Sequence, residues 1–363
     1  MRRTQRHLAD GRAIVYFDRD GRPERTAVDE RDLHGQRPAQ AQLRRDALTG
    51  EWIAIAGHRQ DRTFLPSADE CPLCASTPGH LTEIPEAQYD VAVFENRFPS
   101  FSGAGEGDAT DLTELVMAPA LGRCEVVAYC QDHDGSLGAL DTEAMALVID
   151  AWVDRTRELS VLPGVRSVFV FENRGGEVGV TLHHPHGQIY AYPFVPPALS
   201  RVLEQAALAH ERGERLLADL VAAEVADGSR VVARDEHWVV FVPFAARWPY
   251  EVQVHPLADR GSLADLTTPE RASLAVLLPS LARTLDSLFD TPLPTMSGWY
   301  QRPAHPTAAE ERDARLFLRV ISNRRAAQKL KYLASSESLM GAFIGDVVPE
   351  DAAAALRTAW ASA

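Results

Sequence analysis

The chain has 363 residues, 45% of them hydrophobic and 24% charged, and a net charge of −14. That composition is of a folded globular protein with room for one large or two ordinary domains. The acidic balance excludes general nucleic-acid binding, since phosphate backbones would be repelled. No apolar run approaches the roughly 18 residues that span a bilayer, and the basic start "MRRTQRHLADGR" has no apolar core behind it. A cytoplasmic protein with no membrane and no nucleic-acid partner is expected.

In chain order, residues 1–40 are polar and form an N-terminal extension. "AIVYFDRDGRPE" predicts a hairpin turning at Asp20 and Gly21, with the rest of the segment loosely held. "EWIAIAGHR" (51–59) predicts a strand. A loop with Cys71 and Cys74 follows as "CPLC", a thiolate pair spaced for a metal or a redox centre. "DVAVFENRF" (90–98) predicts the next strand. After the glycine-rich loop "SGAGEGD" come strands "TELVMAP" and "CEVVAYC", whose Cys124 and Cys130 read as small buried residues. Residues 141–160 carry helical spacing, capped by Asp141, with Met145, Val148, Ile149, Trp152 and Val153 on one face. Strands "VRSVFVFENRG" and "GVTLHHPHGQIYAYPF" come next, then one long helix from about Leu199 to Val225.

A weak repeat is visible. "EVVAYCQDH", a capped amphipathic helix and two strands recur as "EVQVHPL", the capped helical run "LTTPERASLAVLLPSLARTLDSL" (the whole within 251–288) and strands ending in "RLFLRVIS" (315–322). The last strand of the second copy, unlike that of the first, has no histidine. This order predicts an α+β protein of duplicated units, 41–198 and 199–363.

"HHPHGQ" concentrates the chemistry. On a strand, alternate residues share a face, so His184, His186 and Gln188 form a row. Pro185 stiffens the backbone, and Gly187 permits close approach. A neutral histidine held in one tautomer is a nucleophile. A glutamine can donate a hydrogen bond to a phosphoryl oxygen but cannot deliver a proton, so the leaving group must depart unaided. A phosphate, with its second pKa of about 6, is such a group.

The row resembles the histidine-triad superfamily. "FENRGGEVGVTLHHPHGQIYAYPF", with "RRDALTGEWIAIAGHRQDR", "CPLC", "FENRF", "QDH" and "KYLASSE" in this order, resembles the galactose-1-phosphate uridylyltransferase family over most of the chain. The resemblance implies duplicated histidine-triad-like units, an antiparallel sheet flanked by helices. The first unit carries the nucleophile and a zinc site, the second a hexose-binding segment. It implies a transferase exchanging UMP between UDP-glucose and galactose 1-phosphate, with His186 as nucleophile and Gln188 beside it. The alternative is a related phosphorylase acting on ADP-sugars or dinucleotide polyphosphates. Cys71, Cys74, His133 and His184 are implied as ligands of a structural Zn²⁺. Arg59 and Arg62 are implied at phosphate, Asn96 and Phe98 at uridine, and Asn173, Gly179 and Thr181 along the nucleotide. Lys331, Tyr332 and Glu337 are implied at the hexose phosphate, in a homodimer whose partner completes the site.

The chain departs from the family pattern at Arg97, where aspartate is common, and at Phe343, where glutamine is frequent. A second metal site, built in the family from a glutamate and three histidines, is expected to be absent. "RLFLRVIS" has no histidine, and only Glu204 and His305 stand nearby.

Overall fold

The computed structural model describes residues 1–33, 40–61, 66–103, 110–112 and 115–362. Arg62 and most of the glycine-rich loop lie outside the described residues, as do the first two residues of "TELVMAP".

The strands in chain order are β1 Arg2–His7, β2 Ala13–Asp18, β3 Gln42–Arg45, β4 Trp52–Ile55, β5 Val91–Glu95, β6 Thr110–Leu112, β7 Leu115–Pro119, β8 Arg123–Ala128, β9 Ser167–Arg174 and β10 His186–Tyr192. They continue as β11 Val231–Arg234, β12 Trp238–Phe241, β13 Val252–Pro256, β14 Thr295–Tyr300 and β15 Phe317–Ile321. The helices used below are α1 Thr142–Ser160, α2 Pro197–Glu211, α3 Leu216–Asp227 and α4 Thr268–Asp286.

Among the described residues, eleven strands form one sheet in the order β1-β2-β5-β8-β10-β9-β14-β15-β13-β12-β11, and every pairing is antiparallel. The sequence repeat is visible in this order. The run β8, α1, β9, β10 is matched by β13, α4, β14, β15, and the halves meet where β9 pairs with β14. The duplicated α+β architecture is therefore present.

Helices α1 and α4 cover one face of the sheet. Asp141 caps α1 by accepting from the Ala144 amide, as the sequence predicts, and a capping box at Thr267 and Glu270 starts α4. Met145, Val148, Ile149 and Trp152 pack with Val127, Val168, Val170 and Ile189 from the strands. Arg155 of α1 grips Glu125 of β8 through hydrogen bonds of 2.8 and 2.9 Å, so α1 is tied to the strand beside β10. A four-stranded sheet, β4-β3-β7-β6, closes a smaller core around Phe101, Tyr190 and Tyr192.

Four expectations are corrected. The N-terminal hairpin turns at residues 8–12, not at Asp20–Gly21, because β1 pairs with β2 from Arg2 opposite Asp18 to His7 opposite Ala13. The basic β1 sits at the sheet edge, where charged side chains reach water. The segment after β2 is not loose, since Arg25 is buried against Asp18. The strand expected over 51–59 stops at Ile55, and residues 57–61 form a 3₁₀ turn that redirects Arg59. The long helix expected from Leu199 is two helices, broken where Gly213 takes a φ of 80°.

Candidate active site

Strand β10 begins only at His186, later than its sequence suggests. Pro185 has no amide to give the ladder, and its carbonyl accepts from Tyr129 instead. Gly187, Ile189 and Ala191 then face the helix-covered core, and His186, Gln188 and Tyr190 face the other way. The predicted pairing of His186 with Gln188 on one face holds. His184 stands before the strand and is fully buried in a cluster of its own.

That cluster is Cys71, Cys74, His133 and His184, whose ligand atoms lie within 4.8 Å of one another. Cys74 Sγ is 3.5 Å from His133 Nδ1 and 3.6 Å from His184 Nδ1. The Cys130 carbonyl, 2.8 Å from His184 Nε2, can only accept. Nε2 therefore carries the proton, and Nδ1 presents its lone pair to the cluster. The Tyr89 hydroxyl donates to the same carbonyl at 2.7 Å. Burial and the neighbouring Cys71 push the Cys74 thiol up to about 12, and burial lowers His184 to about 4. Two thiols, one buried and one half-buried, and two imidazoles are a donor set that a cation would stabilise, because it removes the cost of ionising sulfur there. The donors fit a metal ion.

His186 is oriented by the same logic. Its Nδ1 lies 2.7 Å from the His184 carbonyl, so Nδ1–H donates and the Nε2 lone pair is left for a substrate. Burial lowers the pKa of His186, against a smaller opposing effect of that hydrogen bond. The ring is thus neutral near pH 7 and fixed as one tautomer. Gln188, half-buried, follows on the same face.

Further along that face, the Arg59 guanidinium donates to the Phe98 carbonyl at 3.1 Å and to Ser100 Oγ at 2.8 Å, and reaches Tyr190 Oη at 3.3 Å. Arg59 therefore joins the loop after β5 to the strand of the nucleophile. In that loop Asn96 accepts from the Phe98 amide at 2.8 Å, and the Arg97 guanidinium lies 5.7 Å from the centre of the Phe98 ring. Asn173 lines a groove of about 280 Å³ on this side of the sheet with Phe171, Tyr300, Arg319 and Phe343. Gly179 takes a φ of 79° at the end of a short turn, and Thr181 is half-buried in the loop before His184.

The C-terminal segment meets the same groove. Arg247 stacks over Phe343 at 5.2 Å, and Lys331 Nζ donates to the Arg247 carbonyl at 3.1 Å. Lys331 also pairs with Glu337 at 3.4 Å, so both buried charges are engaged within the chain, whereas Tyr332 is exposed. Glu204 is exposed on α2, and His305 holds a positive φ of 49° in the loop after β14. Tyr89, Ser100 and the Cys130 carbonyl were not found from sequence. Tyr190 was legible as the fourth residue after His186 on an alternating strand.

The duplicated antiparallel unit, with a neutral histidine and an amide side by side on one strand, defines a two-unit α+β protein with a histidine site on its central sheet. Comparison with known proteins narrows this. Residues 29–196 match the family pattern "Galactose-1-phosphate uridyl transferase, N-terminal domain", and residues 202–361 match its C-terminal counterpart. A galactose-1-phosphate uridylyltransferase of Streptomyces lividans is 43% identical over 84% of this chain and 81% of its own. One from Thermotoga maritima is 37% identical over 87% of this chain and 98% of its own. A solved uridylyltransferase structure superposes with a TM-score of 0.76 at 30% identity, covering 88% of this chain and 99% of that one. The chain belongs to the galactose-1-phosphate uridylyltransferase family.

Proposed function

We propose that the chain exchanges UMP between UDP-glucose and galactose 1-phosphate in two half-reactions through uridylyl-His186. The observation that carries this is the 2.7 Å hydrogen bond from His186 Nδ1 to the His184 carbonyl, which aims the Nε2 lone pair at the substrate. Nε2 attacks the α-phosphorus of UDP-glucose. The P–N bond forms as the bond to glucose 1-phosphate breaks, and that product leaves as a phosphate needing no proton. A phosphate oxygen of galactose 1-phosphate then attacks the same phosphorus, the P–N bond breaks, and UDP-galactose departs. Gln188 donates to a non-bridging oxygen as charge develops on it. Catalysis rests on positioning and charge stabilisation, as in other phosphoryl transfers.

Arg59 and Arg62 serve the phosphates, with the planar fork that suits phosphate oxygens. Asn96, Phe98, Asn173, Gly179 and Thr181 serve the nucleotide. Lys331, Tyr332 and Glu337 serve the hexose phosphate in a homodimer. Cys71, Cys74, His133 and His184 would hold Zn²⁺, and a set of four protein donors would give it a structural contribution. Residues 1–40, 41–198 and 199–363 act as extension, nucleophile-bearing unit and hexose-binding unit.

The test is to mix the protein with UDP-glucose labelled in the uridine and to map the labelled peptide. A phosphoramidate on His186, discharged by galactose 1-phosphate, is expected. Label on another side chain, or turnover of ADP-glucose with inorganic phosphate in preference, would overturn the assignment.

A further inference from the structure

Behind the nucleophile strand, on the helix-covered side of the sheet, lies a pocket of about 50 Å³. Leucines of α4 form one wall, including Leu278, Leu281 and Leu285. The polar groups facing it are unusual. Tyr129, Trp152 and Trp299 line the pocket, and Tyr129 Oη, Trp152 Nε1 and Trp299 Nε1 have no hydrogen-bond partner among the described residues, although their residues are 1%, 4% and 2% exposed. Glu172 enters from β9 and makes no side-chain hydrogen bond among the described residues. Burial raises its pKa to about 7, with Arg174 opposing and Asp286 reinforcing the rise.

Buried polar groups without partners are rare, and each calls for a ligand or ordered water. The residues that carry these three donors and one carboxylate line a single space. At roughly 10–15 Å³ per water, it holds about three to five. Organic ligands of any size are excluded by that volume, whereas water meets both donors and acceptors.

The pocket's place in the fold gives it a consequence. A Cβ added at Gly187 would stand 2.0 Å from Tyr129 Oη, so the hydroxyl occupies the space that a side chain there would fill. Gln188 pairs with Phe171 across β10 and β9, which sets Glu172 beside Gly187. Tyr129 and Glu172 thus straddle the one residue that separates His186 from Gln188. We propose that the pocket binds an ordered water cluster bridging Tyr129 Oη to the Glu172 carboxylate beneath Gly187, and that this bridge makes Tyr129 a positioning residue for the nucleophile. Water bridges of this kind are nearly as favourable as direct hydrogen bonds. The second half of the proposal rests on His186 being the nucleophile.

The experiment is a high-resolution crystal structure of the full-length metal-loaded protein, paired with Tyr129→Phe. Solvent peaks within hydrogen-bonding distance of both Tyr129 Oη and Glu172 are expected. In Tyr129→Phe, one peak should vanish, and the rate of adduct formation at His186 should fall several-fold with the KM for UDP-glucose unchanged. A purely structural tyrosine would lower stability without that split. A dry pocket in the unmodified protein overturns the site, and an unchanged rate in a folded Tyr129→Phe overturns the positioning role. If Tyr129→Phe does not fold, Trp152→Phe removes a different donor and is judged by the same peaks and rate. A protein that forms no adduct at all refutes the nucleophile and leaves the peaks to decide the pocket.

Discussion

The carbonyl oxygen of His184 accepts the Nδ1 proton of His186 at 2.7 Å, so the residue whose ring sits in the Cys/His cluster holds the His186 ring through its own backbone. Pro185 joins the same two residues through the chain. Anything that holds His184 therefore also holds the tautomer of His186.

Removing the imidazole at position 186 tests the centre of this arrangement. His186→Gly should lower transfer by at least ~10⁴-fold, because it removes the proposed carrier of the nucleotide. Its melting temperature should stay close to that of the parent, since the ring is half-buried at the substrate face. Steady-state exchange and thermal unfolding check both halves.

Cys74→Ser should reduce metal content and stability together. The substitution takes one of four donors within 4.8 Å of each other and leaves buried polar groups unpaired. Metal binding contributes folding free energy. A loss of several kcal/mol should lower the melting temperature by about 5 °C, since at ~2.1 cal/mol/K per residue about 1 kcal/mol moves a chain of this size by ~1.3 °C. Elemental analysis with calorimetry reads both; a metal-poor variant of equal stability would refute the structural role.

The acid limb of the first half-reaction should lie below pH 6.5. Burial holds His186 below its usual value of 6.5, so Nε2 stays unprotonated as the pH falls through 6.5 and is lost only at lower pH. Stability follows with a definite sign. His255, fully buried, is lowered to about 3. Between pH 6.5 and 3 the unfolded chain binds a proton there that the native chain does not, so stability falls as pH falls, by about 1.4 kcal/mol per pH unit. Above 6.5 both states are neutral and the effect vanishes. Single-turnover rates and denaturant unfolding across pH 5–8 check the two statements.

The N-terminal segment braces the metal loop, and Arg12 is the contact to remove. Its guanidinium lies 2.6 Å from both Asp10 and Glu83, and all three side chains are more than nine-tenths buried. Arg31 reaches Glu83 from a second direction at 2.9 Å, and Leu8, Ile14 and Tyr16 pack with Cys71, Leu73 and Ile84. Arg12→Ala leaves two buried carboxylates short of a partner, a cost of about 3–5 kcal/mol. It should also speed metal loss to a chelator, because Glu83 follows the cysteine pair in the same loop. Metal release and unfolding midpoints measure this; a variant with unchanged release would show that the brace stops short of the cluster.

Much of this protein is written in local pattern. The helical face of Met145 to Val153, the cap at Asp141 and the repeated strand–helix–strand–strand order depend on residues near one another in the chain. They survive into the fold unchanged. The residue types of the chemistry were equally legible: an imidazole and an amide two apart on a strand, and two thiols three apart in a loop. The hairpin at the N-terminus was misread because Asp20–Gly21 is the stronger local turn signal. The true turn at residues 8–12 gains its stability from pairing and burial that no short window contains. What only the tertiary structure decided is direction. Which nitrogen of His186 carries the proton is set by the His184 carbonyl, and which nitrogen of His184 faces the thiols is set by the carbonyl of Cys130, 54 residues away in sequence. Backbone carbonyls are present at every residue, so their identity leaves no trace in the sequence; only the folded chain selects the ones that fix the two rings.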